Sequence, residues 1–217
     1  MFKNIAFMPR RADFTRQAFQ AYYESRHTPL ALTMIRNFAK YTRNHVVEAH
    51  PDTPFDTLSE FWFDDVQEAM AIGAFMQSDA SLALREDEAQ FLDRPAIRAF
   101  PVEETVLTGP ERIVEPFPRP LYGLIFDAVG DADAQLATLR QLGMDWAQVN
   151  RLRRVCLNVA LQIPGVPAAP CHAIMLGWPD SSAPAPTAPS LPSMATVGLR
   201  HRVILSCIET ASERLRD

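Results

Sequence analysis

Three cysteines in 217 residues, Cys156, Cys171 and Cys207, are too few and too scattered for a disulfide framework, and no CxxC pair suggests a zinc or redox site. They predict buried thiols in a reducing compartment. No apolar run approaches the roughly 20 residues that cross a membrane, and the opening MFKNIAFMPRR is too short in apolar residues for a signal peptide. The expected location is therefore cytoplasmic, with no membrane partner. Positive charge is also scarce: 21 Lys and Arg stand against 26 Asp and Glu, a net charge of −5 that argues against a nucleic-acid surface. The one basic cluster, RLRR at 151–154, reads as a solvated strand edge. Neither GxGxxG nor a P-loop occurs to anchor a nucleotide cofactor, GxSxG is missing for a serine nucleophile, and His45 and His50 lack metal-ligand spacing. What remains is an ordinary globular composition, 47% hydrophobic and 22% charged, long enough for one large domain or two small ones.

Within that composition, FTRQAFQAYYESRHTPLALTMI at 14–35 is distinctive. Thr15 is a candidate N-cap, with Phe14 and Phe19 spaced as a hydrophobic staple. Phe19, Tyr23 and His27 fall four apart on one stripe, with Tyr22 beside them. Pro29 should push Thr28 out of the α region, ending the first helix near His27 and making Thr28 the N-cap of a second. A histidine at that break either caps the last carbonyls of its helix or has other work.

The hydrophobic pattern divides the chain into two halves. The first reads as a strand at 2–8, the broken helix, strands at 38–47 and 56–64, helices from Asp65 to Met76 and over 82–93, and a strand at 98–107 whose Pro101 suggests an edge or a late start. This β-α-β-β-α-β order is the ferredoxin-like pattern. A linker with four prolines spans 109–120. Strands LYGLIFDAV, RRVCLNVALQI, CHAIMLGW and HRVILSCIE come after it, with a helix capped by Asp131 or Asp133 and a Pro/Ala/Ser loop at 179–193 in place of a second helix. The expected fold class is α+β: two tandem ferredoxin-like βαββαβ units, at 1–108 and 121–217, the second degenerate, forming a dimeric α+β barrel-like pseudo-dimer. A further homodimer would be a separate interface.

FTRQAFQAYYESRHTPLAL, YTRNHVV, FDTLSEFWFD and LREDEAQFLD...RAFPVEE occur in the order found in the EthD family of the dimeric α+β barrel superfamily, which the first half resembles from Phe2 to about Leu107. The family typically carries a tryptophan four residues before the His-x-Pro histidine, where this chain has Tyr23, an aromatic wall with an added hydroxyl. The resemblance implies a small-molecule pocket between sheet and helices, with neither metal nor organic cofactor. Proteins similar to it include lyases and isomerases acting on polyketides or lactones, and many members without an established activity.

By period-two alternation, Tyr41, Arg43 and His45 share one face of the second strand, either lining a cavity or forming a polar edge in solvent. A phenol, a guanidinium and an imidazole on one face could hold an anionic or enolic substrate. Glu60 and Trp62 share one face of the third strand. His50, in a turn, reads as solvated, and His172 and His201 as structural. The expected catalytic residues are His27 as general acid/base, assisted by Tyr41 and His45, with Tyr23, Arg43, Glu60 and Trp62 binding substrate. The leading expectation is a cofactor-independent lyase or isomerase acting on a lactone, polyketide or catabolic intermediate. A non-catalytic carrier or sensor and a haem-binding or cofactor-free monooxygenase are the alternatives.

Overall fold

A computed structural model of the chain describes residues 1–113, 117–164, 166–180 and 197–215. Among the described residues there are eight strands: β1 (Phe2–Met8), β2 (Lys40–His50), β3 (Thr57–Phe63), β4 (Arg98–Thr108), β5 (Arg119–Phe126), β6 (Leu152–Ala160), β7 (Ala173–Pro179) and β8 (Leu199–Glu209). The α-helices are α1 (Arg16–Tyr22), α2 (Thr28–Met34), α3 (Val66–Gln77), α4 (Leu82–Phe91) and α5 (Ala132–Asn150).

The strands form one closed barrel in the order β1-β3-β2-β8-β5-β7-β6-β4. This corrects the expected fold class: one continuous closed sheet replaces the two tandem ferredoxin-like units paired as a pseudo-dimer. An open four-stranded sheet leaves unpaired N–H and C=O groups along its outer strands, and only closure removes such edges. Element order along a sequence cannot display that closure. Two pairings show how strands serve beyond their own half. Residues 102–108 of β4 ladder antiparallel onto residues 155–160 of β6, and the N–H of Thr210, just after β8, donates to the carbonyl of Tyr41 in β2.

Two compact units arise from this wiring. The first comprises Met1–His45, Pro54–Pro101 and Glu209–Asp217; the second comprises Val46–Thr53 and Val102–Ile208. Part of the Pro-rich linker, 114–116, and most of the Pro/Ala/Ser loop, 181–193, lie outside the described residues.

In the first unit, helix starts obey local chemistry. The Thr15 hydroxyl accepts from the Ala18 N–H, and Asp65 caps α3 by accepting from the N–H groups of Gln67 and Glu68. The break expected at Pro29 does not occur. Thr28 is helical, at φ −59° and ψ −46°, and is not an extended N-cap. The chain instead widens into a π-helical turn over Tyr23–His27, in which the Thr28 N–H bonds the carbonyl of Tyr23. Proline has no N–H, and its ring would press on the carbonyl four residues back; the wider turn absorbs both defects without ending the helix.

The second unit packs solidly. Helix α5, capped by Asp131, lays Leu139, Leu142 and Trp146 onto β5, β6 and β7. The Trp146 ring lies so close to Gly177 that a Cβ there would sit 2.8 Å from it. Arg154, expected in solvent with the RLRR cluster, is buried. Its Nη2 bonds Glu104 Oε1 at 2.8 Å, and its guanidinium lies 4.4 Å from the Trp178 ring centroid. Cys156, Cys171 and Cys207 are buried and form no disulfide; burial pushes the Cys171 thiol up to about 12.

Candidate functional site

The first unit holds an open-sided cavity of about 430 Å³ between the outward face of β1, β2 and β3 and the helices α2, α3 and α4. Alternation along the strands decides which residues reach it. Asn4, Ala6 and Met8 of β1, Tyr41 of β2, and Phe61 and Phe63 of β3 face the helices. Phe38 completes an aromatic wall, and Tyr41 stacks on Phe61 with ring centroids 4.8 Å apart. The wall opposite comes from α3, none of whose residues is fully buried, and there Gly73 leaves open space within 4 Å of its missing Cβ.

His27 meets this cavity from the π-helical turn. It is 4% exposed, and its ring does not cap the helix: Nδ1 lies 2.8 Å from Asp87 Oδ2, on α4. The other Asp87 oxygen accepts from the Tyr22 hydroxyl at 2.9 Å. The hydrogen bond from His27 holds Asp87 below its ordinary value against partial burial, so the carboxylate is charged at neutral pH and requires Nδ1 to carry the proton. Nε2 makes no hydrogen bond among the described residues. A neutral His27 therefore presents its lone pair from Nε2.

Two phenols stand nearby. Tyr23 packs edge-on against the His27 ring at 5.0 Å, and its hydroxyl lies 3.2 Å from that of Tyr41 and 3.1 Å from Ser59 Oγ. Burial pushes the Tyr23 phenol well above its ordinary value. Burial also raises Tyr41, against the guanidinium of Arg43 4.6 Å from its ring. Both stay protonated and act as donors, not bases. Asn4 adds a buried Oδ1 with no hydrogen-bond partner among the described residues.

The other expected residues lie elsewhere. Arg43 and His45 share the face of Tyr41, as alternation predicts, but they converge on Glu24 and do not line the cavity. Arg43 donates from Nε and Nη2 to the Glu24 oxygens at 2.8 and 2.9 Å. His45 engages both nitrogens, Nε2 with Glu24 Oε1 and Nδ1 with Thr57 Oγ1, each at 2.7 Å. Burial alone would raise Glu24, but the hydrogen bonds from His45 and Arg43 outweigh it and hold the carboxyl below its ordinary range. Glu60 and Trp62 point to the opposite sheet face. Glu60 pairs with Lys3 at 2.6 Å and accepts from Thr42 and Asn44, while the ammonium groups of Lys3 and Lys40 lie 4.3 and 4.2 Å from the Trp62 ring centroid. Among the described residues, no three His, Cys, Asp or Glu side chains converge as a metal site, and no helix is long and apolar enough to cross a membrane.

Asp87 and Ser59 were missed by sequence reasoning. Asp87 reaches His27 across 60 positions through helix packing, with no local signal. Ser59 alternates onto the face of Phe61, so its side of the sheet was legible although its partner was not.

The model of the EthD domain matches residues 11–95. This segment is similar to the EthD domain. No curated protein matches the sequence. Among solved structures, an anthrone oxidase-like protein superposes with a TM-score of 0.63 at 13% identity, covering 97% of this chain and 92% of that one. A proposed monooxygenase from Fusobacterium nucleatum gives 0.55 at 8% identity, covering 96% and 93%. A proposed monooxygenase from Lactobacillus acidophilus gives 0.49 at 10% identity, covering 96% and 93%. At these identities the likeness is one of fold. The EthD segment contains His27, its carboxylate partner Asp87 and the phenols of Tyr23 and Tyr41.

Proposed function

We propose that the EthD-domain cavity binds a small, largely apolar organic molecule and performs cofactor-independent acid–base chemistry on it, of the lyase or isomerase type. The observation that carries this reading is the Asp87–His27 pair, which leaves a basic Nε2 on a mostly aromatic and aliphatic cavity. His27 Nε2 removes a proton from carbon beside a substrate carbonyl. The resulting enolate oxygen accepts a hydrogen bond from Tyr41, whose neighbour Tyr23 is itself held by Ser59. The imidazolium, stabilised by the Asp87 carboxylate, then returns its proton to another carbon for isomerisation or to a departing oxygen for elimination. Arg43, His45 and Glu24 form the polar layer that fixes the π-helical turn behind these groups.

The test uses 2-tetralone, an apolar bicyclic ketone with exchangeable α-protons, in deuterated buffer. The native protein is expected to accelerate deuterium uptake, and His27→Gln to lower that acceleration about a hundredfold or more while retaining the fold. Binding of 2-tetralone without accelerated exchange would reduce the protein to a carrier. A second reading, reaction of the same enolate with dioxygen, draws on the oxidase and monooxygenase names of the fold neighbours. Oxygen consumption with anthrone as probe, lost in His27→Gln, distinguishes it.

A further inference from the structure

One edge of the cavity carries a pair that the acid–base reading does not use. Glu88, on α4, is 7% exposed and lines the cavity. Its Oε2 accepts from Arg94 Nε at 3.0 Å. Arg94 lines the cavity as well, and it also borders a surface groove with Arg11, Leu92 and Pro95. It is the residue through which the two spaces adjoin. The Nε bond uses one of the five guanidinium N–H groups, and Nη1 and Nη2 make no hydrogen bond or ion pair with the described residues. The Arg94 side chain is 39% exposed, so the buried carboxylate fixes this guanidinium by one corner at the rim of the cavity and leaves its outer fork in solvent beside an apolar space.

We propose that Arg94 is an anion-recognition group, so that the cavity's ligand carries a carboxylate in addition to the oxygen that meets the phenols. This inference rests on the small-molecule reading of the cavity and narrows its ligand class. The guanidinium fork matches a carboxylate in two parallel hydrogen bonds at the cavity's rim, so a ligand can keep its apolar body against the inner walls with its charge at Arg94. Glu88 already balances one charge on Arg94, so the ligand's carboxylate becomes the second acceptor on a shared guanidinium. The gain is accordingly moderate, about tenfold in affinity over an uncharged analogue.

The experiment compares 2-naphthoate with its neutral methyl ester, titrated calorimetrically at pH 7 into the full chain. The native protein is expected to bind the acid about tenfold more tightly than the ester. Arg94→Met, which keeps the aliphatic stem, is expected to abolish that preference while leaving ester affinity unchanged. Equal affinities in the native protein, or a preference that survives Arg94→Met, would overturn the role of Arg94 and leave the cavity reading intact. Failure of both probes to bind would overturn the cavity reading and this inference with it. If Arg94→Met loses both ligands by unfolding, Arg94→Gln decides: loss of the acid preference with ester affinity retained supports the proposal, and a surviving preference refutes it.

Discussion

The two compact units solve one packing problem in opposite ways. In the second, α5 lays a tryptophan against β7 where Gly177 has no side chain, and the helix–sheet space is filled. In the first, α2 and α4 bury Leu32, Leu84 and Phe91, but α3 covers the sheet with no fully buried residue, and about 430 Å³ remains open. Polar pairs help hold both units: Glu24 with Arg43 and His45, and Asp87 with His27, in the hollow one, and Arg154 with Glu104 in the filled one. An empty space beside a core costs dispersion contacts, so a fold that retains one has another use for it.

Hollowing the filled unit gives the largest expected effect. Trp146→Ala should cost about 3–5 kcal/mol, a fall in Tm of roughly 10 °C, read by thermal melting, with binding in the first unit unchanged. Next comes the polar scaffold of the hollow unit. Glu24→Gln leaves the buried Arg43 guanidinium without its carboxylate and should cost about 3 kcal/mol. Because Glu24 and Asp87 are both held below their ordinary values, their contribution is fully present above the unfolded carboxylate range. It should fade as pH falls below about 4 through the folded values, and the Tm of Glu24→Gln should therefore depend less on acid than that of the native protein. The smallest effect comes from filling the hollow. Gly73→Ala meets nothing within 4 Å and should stabilise α3 by up to about 1 kcal/mol, whereas Gly73→Leu should also weaken 2-tetralone binding.

Part of the first unit's arrangement was legible in the sequence, for a physical reason. A strand alternates strictly, so Tyr41, Arg43 and His45 had to share one face of β2, and Glu60 and Trp62 one face of β3. Which face met the helices depended on packing that no local pattern records. That is why Glu60 and Trp62 were grouped with a cavity their side chains turn away from. Glu88 could have been found: it falls between Leu84 and Phe91 on the buried stripe of α4, where a carboxylate is out of place. The pairing of Asp87 with His27, and barrel closure through β4 with β6, depend on contacts far apart along the chain. The helical Thr28 breaks a sound rule about residues preceding proline, because a tertiary environment that buries Thr28 and Ala31 favours continuing the helix over stopping it.

The π-helical turn also makes the site sensitive to chain length. In an α-helix, residues four apart drift about 40° around the axis, and every added or deleted residue rotates the downstream side chains by about 100°. The turn over Tyr23–His27 sets the phase between Phe19 and Tyr23 on one side and His27 and Ala31 on the other, all of them buried together in one core cluster or against it. Its exposed members, Ser25 and Arg26, carry little packing. Inserting one residue beside Ser25 would remove almost no buried surface, yet with the wider turn already in use it would swing the imidazole about a quarter-turn away from Asp87. Such an insertion would uncouple His27 from the Asp87 carboxylate while the barrel strands keep their pairing.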